Sequence, residues 1–410
     1  MLTLKGYLKE EQNVHMEHVE DLVFNEGVDG TRKAINFLRD LRDMLSGNSV
    51  SKVATTVKWD GAPAIFAGID PSDGKFFVAK KGVFNKNPKV YKTPAEIDTD
   101  TTGDLAAKLK LALSEFQRLG ITSGVYQGDL MFSKEDLQTE VIDGRKYTTF
   151  HPNTIVYAVP YESDLAKRIR SARIGVVWHT TYTGDSFETM QASFGKPIAP
   201  LLNQVASVWM DDATYKDYSG TATFTAEETA SVTAMLSTAG RLFQSISAPT
   251  LNAIKANEDL LVDIKTFNNS KIRAGQKITD PHKHVQELFQ WIYDRYQKAI
   301  DSKKTEKGKA AQEEKRKSIL AWFANNDRSE IAKIFQLSTL IADIKAPIIA
   351  KMNQAGHINT FVRTPNGFKV TGVEGFVAID RLKGGAVKII DRLEFSRNNF
   401  DSNIIKGWQR

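Results

Sequence analysis

A lysine stands two residues before an Asp-Gly pair in TTVKWDGAPAIFAG, Thr55 to Gly68, between stretches rich in β-branched and apolar residues. Two readings fit it. In the first, Asp60-Gly61 is the turn of a hairpin, because Asp-Gly supplies the positive φ angles of a tight turn and the flanks Thr55, Thr56, Val57 and Ala64, Ile65, Phe66 favour extended chain. In the second, Lys58 is a nucleophile. An amine attacks phosphorus only when unprotonated, and a free lysine with a pKa of about 10.4 is neutral in about one molecule in two thousand at pH 7. Burial and a neighbouring cation, either a second lysine or a metal ion, would hold more of it neutral. The stretch alone leaves both readings open, and the remaining chain has to decide between them.

The elements that must position such a lysine are legible as changes of period. HVEDLVFNEG and TRKAINFLRDLRDMLSG, within residues 8–46, carry apolar residues at three- and four-residue spacing and each closes on glycine, which predicts helix. Strand character follows in ATTVKW, AIFAGI, KFFVAKKGVF, SGVYQGDLMF, NTIVYAVPY and IGVVWHTTYTG, interrupted by one amphipathic helix over Thr102–Gly120. From about Thr225 to Ala355 the period is helical again. Strand signals return in INTFVRT, GFKVTGVEGFVAIDR and GAVKIIDRLEF, with PNG and KGG as turns. This order predicts an α+β fold. Its parts are a helical segment over 1–50, a first core portion over 51–200, an all-helical insertion over 201–355 and the last core strands over 356–410.

Composition narrows the chemistry. At 410 residues the chain has room for two or three domains and a sizeable core, and 41% hydrophobic with 25% charged residues is the balance of a globular protein. The start MLTLKGYLKEEQNVH has charges where a secretory signal needs an apolar core, and no apolar run reaches membrane-spanning length, so no membrane partner and a cytoplasmic location are expected. There is no cysteine, which removes disulfides, thiolate nucleophiles and cysteine zinc sites. The excess of 55 Lys plus Arg over 49 Asp plus Glu, +6, suits a polyanionic partner without demanding one.

Four short stretches in order carry a resemblance. KWDG at 58–61 fits the K-x-D-G signature of the covalent nucleotidyltransferases, the superfamily of ATP-dependent DNA ligases, RNA ligases and RNA capping enzymes. YQGDLMF, Tyr126 to Phe132, resembles the next signature with Asp129 in the acidic place. VEGFVAI at 373–379 resembles the later Glu-Gly signature, and AVKII at 386–390 the final lysine-bearing strand. The nearest likeness is to phage RNA ligases, through FFVAKKGVF, NTIVYAV, IGVVWHTTYTGDSF and EGFVAIDRLKGGAVKII. It covers roughly residues 50–190 and 360–396, and the chain as a whole looks like uncharacterised proteins of tailed phages. For a phage-encoded chain the expected location is the host cytoplasm.

The resemblance implies a ligase-like core of antiparallel sheets with flanking helices, and an activity that joins 5′-phosphate and 3′-hydroxyl ends through a lysyl-AMP on Lys58. ATP and Mg²⁺ would be the substrate and cofactor, and RNA rather than DNA the partner. Asp60 and Gly61 would shape the nucleotide pocket, Lys81 and Lys388 would face phosphate, Asp129 and Glu374 would hold Mg²⁺ or the ribose, and Trp178 would stack on the base. Alternatives are a transferase delivering AMP or GMP to another acceptor, and a nucleic-acid-binding protein that keeps the fold without catalysis. The departures bear on that choice: Ile390 stands where many ligases have a second lysine, Asp129 is shorter than the usual glutamate, and Pro63 replaces an arginine. Only 22 residues follow Lys388, so no C-terminal oligonucleotide-binding barrel is expected.

Two further clusters have residue types that could do chemistry. The run Asp301 to Ser318, with Lys303, Lys304, Lys307, Lys309, Lys315, Arg316 and Lys317, fits phosphate contacts or, equally, a solvated helix face with interspersed glutamates. His282 and His284 are spaced so that they do not share a helical face. The remaining histidines, His15, His18, His151, His179 and His357, show neither zinc nor Ser-His-Asp spacing.

Overall fold

The computed structural model describes residues 16–47, 53–217, 220–380 and 385–409. The expected helical residues 8–15, and Lys383 and Gly384 of the KGG turn, lie outside them. After a helix at Gly27–Leu45 come β1 (Val53–Lys58), β2 (Ala64–Ile69) and β3 (Phe76–Ala79), then the helices Pro94–Asp100 and Gly103–Phe116. The chain continues through β4 (Val125–Ser133), β5 (Gln138–Ile142), β6 (Arg145–Phe150), β7 (Ile155–Pro160), β8 (Ile174–Thr183), β9 (Gln191–Phe194) and β10 (Val208–Asp212). Six helices from Ala226–Gln244 to Arg328–Met352 follow. The chain closes with β11 (Asn359–Thr364), β12 (Gly367–Val370), β13 (Gly375–Asp380), β14 (Ala386–Ile389) and a helix at Arg392–Phe400.

The strands form three sheets in an α+β arrangement. One has the order β1-β13-β14; a second runs β10-β8-β4-β2-β3 with β9 added to β8; the third runs β12-β11-β7-β6-β5. All pairs are antiparallel except β10 with β8. β1 and β2 belong to different sheets, so the hairpin reading of Asp60-Gly61 is overturned: β1 takes its partner from β13, more than 300 residues away, with Lys58 opposite Gly375. β2 in turn pairs with β3 and β4.

Side-chain alternation gives each sheet its function. Along β13 and β14, Phe376, Ala378, Val387 and Ile389 are buried in one core with Leu38 and Leu41 of the N-terminal helix and with Leu236, Phe335, Ile341 and Ile344 of the helical block. At about 1.5–3 kcal/mol for each such side chain removed from water, this shared core is what ties the helices to the sheet. The helical block therefore packs with the N-terminal helix and the three-stranded sheet. It begins at Ala226 rather than near 201, because Val208–Asp212 extends the six-stranded sheet. Thr225 opens it with a reciprocal capping box to Glu228.

The six-stranded sheet is covered on one face by the helix Gly103–Phe116. Ile65, Leu130, Val176 and Trp178 pack there on Leu109, Leu113 and Phe116. This corrects the stacking role expected of Trp178. Its indole is fully buried, 5.4 Å edge-on to Phe116, and presents no surface to a ligand. Trp178→Ala should cost about 3–5 kcal/mol of stability in chemical denaturation through the cavity it leaves. If it instead leaves stability intact and alters only nucleotide binding, the core assignment fails.

Candidate active site

Lys58 ends β1, and the register that faces it with Gly375 also faces Thr56 with Val377, which in turn faces Lys388 on β14. The two lysines thus lie on one face of the three-stranded sheet, opposite the face that carries Val57 and Phe376. Glu374 immediately precedes β13 and its Oε1 forms an ion pair with Lys58 Nζ. Gly375 makes this approach possible: its φ of +147° is a backbone conformation that side-chain-bearing residues rarely adopt, and a Cβ would come within 2.6 Å of Ile390 Cγ1. Gly375→Ala is expected to destabilise the protein by about 1–3 kcal/mol and to pull Glu374 away from the amine. An unchanged melting curve would contradict this.

Ile390 is buried against Gly375 and is an apolar support for the Glu374-Gly375 turn. Lys388 is half-buried, and burial first and the Lys58 charge second lower its pKa. Its backbone N–H donates to Glu17 O at 2.8 Å, which brings residues 17–18 alongside β14.

The six-stranded sheet delivers the third component. Asp129 lies on β4 between Ala64 of β2 and Val177 of β8. The loop after Lys58 is strapped to it by Ala62 N–H to Leu130 O at 2.9 Å and Leu130 N–H to Pro63 O at 3.0 Å. Gly61 allows that contact, since a Cβ there would fall 2.6 Å from Asp129 Cβ. Burial raises the Asp129 pKa to about 7; the nearby Glu374 and Asp60 push in the same direction, while Lys58 and Lys81 oppose it. Glu374 is likewise raised, by burial first, against the pull of Lys58. Lys81, exposed at the start of a short 3₁₀ turn, is within electrostatic reach of Asp129.

Asp60 plays a different part from a ligand contact. Its carboxylate accepts from Asn153 Nδ2 at 2.6 Å, Thr154 N at 2.6 Å and Ile155 N at 2.8 Å, and its own N–H donates to the Tyr157 hydroxyl at 2.7 Å. These bonds offset the burial that raises its pKa and lock the loop after Lys58 onto the start of β7.

His179 belongs to the site although its spacing gave no hint of it. The β4–β8 register pairs Gln127 with Thr180 and Gly128 with Trp178, so His179 is the extra residue of a bulge. Its Nε2 lies 3.8 Å from Asp129 Oδ2, and burial, then the Lys58 charge, holds its pKa near 4. The ring is therefore neutral at pH 7 and the contact is not an ion pair. Bulges arise from pairing between distant strands, which is why the sequence around His179 looked bland.

Two oxygen-bearing carboxylates beside phosphate-sized cations suit a hard divalent ion, whose shell water and phosphate oxygens would complete. Among the described residues no group of three or more His, Cys, Asp or Glu forms a ready-made metal cage, and no helix is long and apolar enough to cross a membrane.

Fold and site together define an α+β protein with a lysine–carboxylate centre at the junction of two sheets. The chain belongs to a family of unknown function (DUF6267), whose model matches residues 13–404. No curated protein and no solved structure matches it.

Proposed function

We propose that this protein is an ATP-dependent nucleotidyltransferase with a ligase-like core, acting as a polynucleotide ligase on RNA. The observation that carries the reading is the convergence on Lys58 of Glu374, Asp129 and Lys388 from three separate strands or strand ends. The Lys58 amine attacks the α-phosphorus of ATP: the Nζ–P bond forms, the P–O bond to the β-phosphate breaks, and pyrophosphate leaves with the electron pair. The amine sheds its proton to water, which reaches the partly exposed side chain. AMP then passes to a 5′-phosphate end, and a 3′-hydroxyl displaces AMP to seal the strand.

Lys388 and Lys81 would neutralise phosphate charge, and Asp129 with Glu374 would hold Mg²⁺. A bound magnesium ion would screen the triphosphate and compete with the Lys58 ammonium for Glu374. The test is incubation with Mg²⁺ and α-labelled ATP or GTP, followed by denaturation. Label retained on the protein and chased onto 5′-phosphorylated RNA supports the reading. Label that chases only onto another acceptor makes the protein a transferase, and no label with either nucleotide removes catalysis altogether.

A further inference from the structure

Residues 404–407, which follow the helix Arg392–Phe400, run back against the elements that hold the loop between β1 and β2. Ile405 N–H donates to Arg363 O of β11 at 2.9 Å, and Gly407 N–H donates to Asn153 O, just before β7, at 2.7 Å. Only glycine fits the second contact, since a Cβ on Gly407 would fall 2.0 Å from His151 O. Between these two bonds stands Lys406, 8% exposed, a burial that lysine rarely reaches unless its charge is met.

The Lys406 ammonium donates to Thr154 Oγ1 at 3.3 Å and to Asn398 O. Both acceptors are neutral. Burial lowers the lysine's pKa, and Asp60 is the charge that most opposes the drop. The same Thr154 gives its N–H to Asp60 Oδ2 at 2.6 Å. One threonine therefore lies between two buried opposite charges, its hydroxyl on Lys406 and its amide on Asp60, which is 6% exposed. In a dry interior an attraction acts across this spacing that water would screen. Asp60 in turn ties the residues after Lys58 to β7, and Ala62 N–H ties them to β4.

We infer that Lys406 is a positioning residue for Lys58: through Thr154 it supplies the buried positive charge that holds Asp60, and with it the loop that aims the amine. Its part in labelling rests on the ligase reading, whereas its hold on the loop is tested without nucleotide.

Lys406→Met keeps an apolar stem and deletes the charge. With saturating α-labelled ATP and Mg²⁺, the rate constant for label uptake should fall about ten- to a hundredfold, because a small misplacement of a reacting group costs that much. The final fraction of labelled protein should stay that of the parent. A lysine needed only for folding would give the reverse, fewer competent molecules that each react at the parental rate. Thr154→Val removes the bridging hydroxyl in a nearly isosteric side chain and should slow labelling about three- to tenfold. Added to Lys406→Met, it should slow labelling no further.

In the ligand-free chain, amide hydrogen exchange followed by mass spectrometry should be about tenfold faster over Trp59–Ala62 in Lys406→Met and in Thr154→Val, with exchange in the helix Gly103–Phe116 unchanged. If Lys406→Met does not fold, Thr154→Val carries both measurements. A parent that takes no label ends the ligase reading and leaves the exchange result to decide for or against Lys406. A parental labelling rate in Lys406→Met, effects that multiply in the double variant, or unchanged exchange over Trp59–Ala62 overturns the inference.

Discussion

Lys58→Arg should leave no nucleotide on the protein after incubation with Mg²⁺ and α-labelled ATP, while its melting curve should stay close to that of the parent. The two halves of this outcome have different origins. Arginine keeps a positive charge against Glu374, so the ion pair at the sheet junction survives and the fold loses little. A guanidinium with a pKa above about 12 has no neutral amine to offer, so formation of the phosphoramide should fall at least about a thousandfold, to background. Lys58→Ala should also remove the label, but it leaves the buried Glu374 without its partner and confounds chemistry with stability. Label on Lys58→Arg at the parental level would place the nucleophile elsewhere and end the mechanism proposed above.

What this lysine needs around it was only partly legible in the chain. The strands holding Lys58 and Asp129 were expected within a residue or two of their observed ends, whereas GFKVTGVEGFVAIDR, expected as one stretch, is divided into β12 and β13 with Glu374 in the turn between them, and β14 ends at Ile389, well before the end of GAVKIIDRLEF. The partnerships of the strands were not legible. Local composition favoured a hairpin at Asp60-Gly61, whereas β1 pairs with β13 across more than 300 residues of sequence and shares its core with the helices.

The misses have physical causes that differ from site to site. Trp178 follows a strand's alternation into the core, and its large apolar surface outweighs any use as a stacking plate. The β5–β6 hairpin turns on Asp143-Gly144, with φ of 47° and 75°, a signal present in the sequence but absent from the expected elements. RLEF, expected as strand, is instead the start of a helix: the Asp391 carboxylate caps it by accepting from Leu393 N and Glu394 N, both at 3.0 Å. His179 owes its place to a bulge and so to pairing alone.

The second large effect concerns how the site's far edge is held. Lys345, in the helix Arg328–Met352, is 3% exposed and donates to both carboxylate oxygens of Glu20, at 2.7 and 2.8 Å. Arg392 adds a bond to Asp21 at 2.8 Å, so the segment 17–21 that runs beside β14 and Lys388 is anchored through buried charge. Lys345→Met strands the Glu20 carboxylate without its main partner and should cost about 3–5 kcal/mol in urea denaturation. Replacing both members, Glu20→Gln with Lys345→Met, removes the uncompensated charge and should recover most of that loss. Because Lys388 N–H bonds to Glu17 O, labelling by ATP should fall in the single variant and return in the double one. A single variant as stable as the parent would mean that this pair, despite its burial, does not fix the segment.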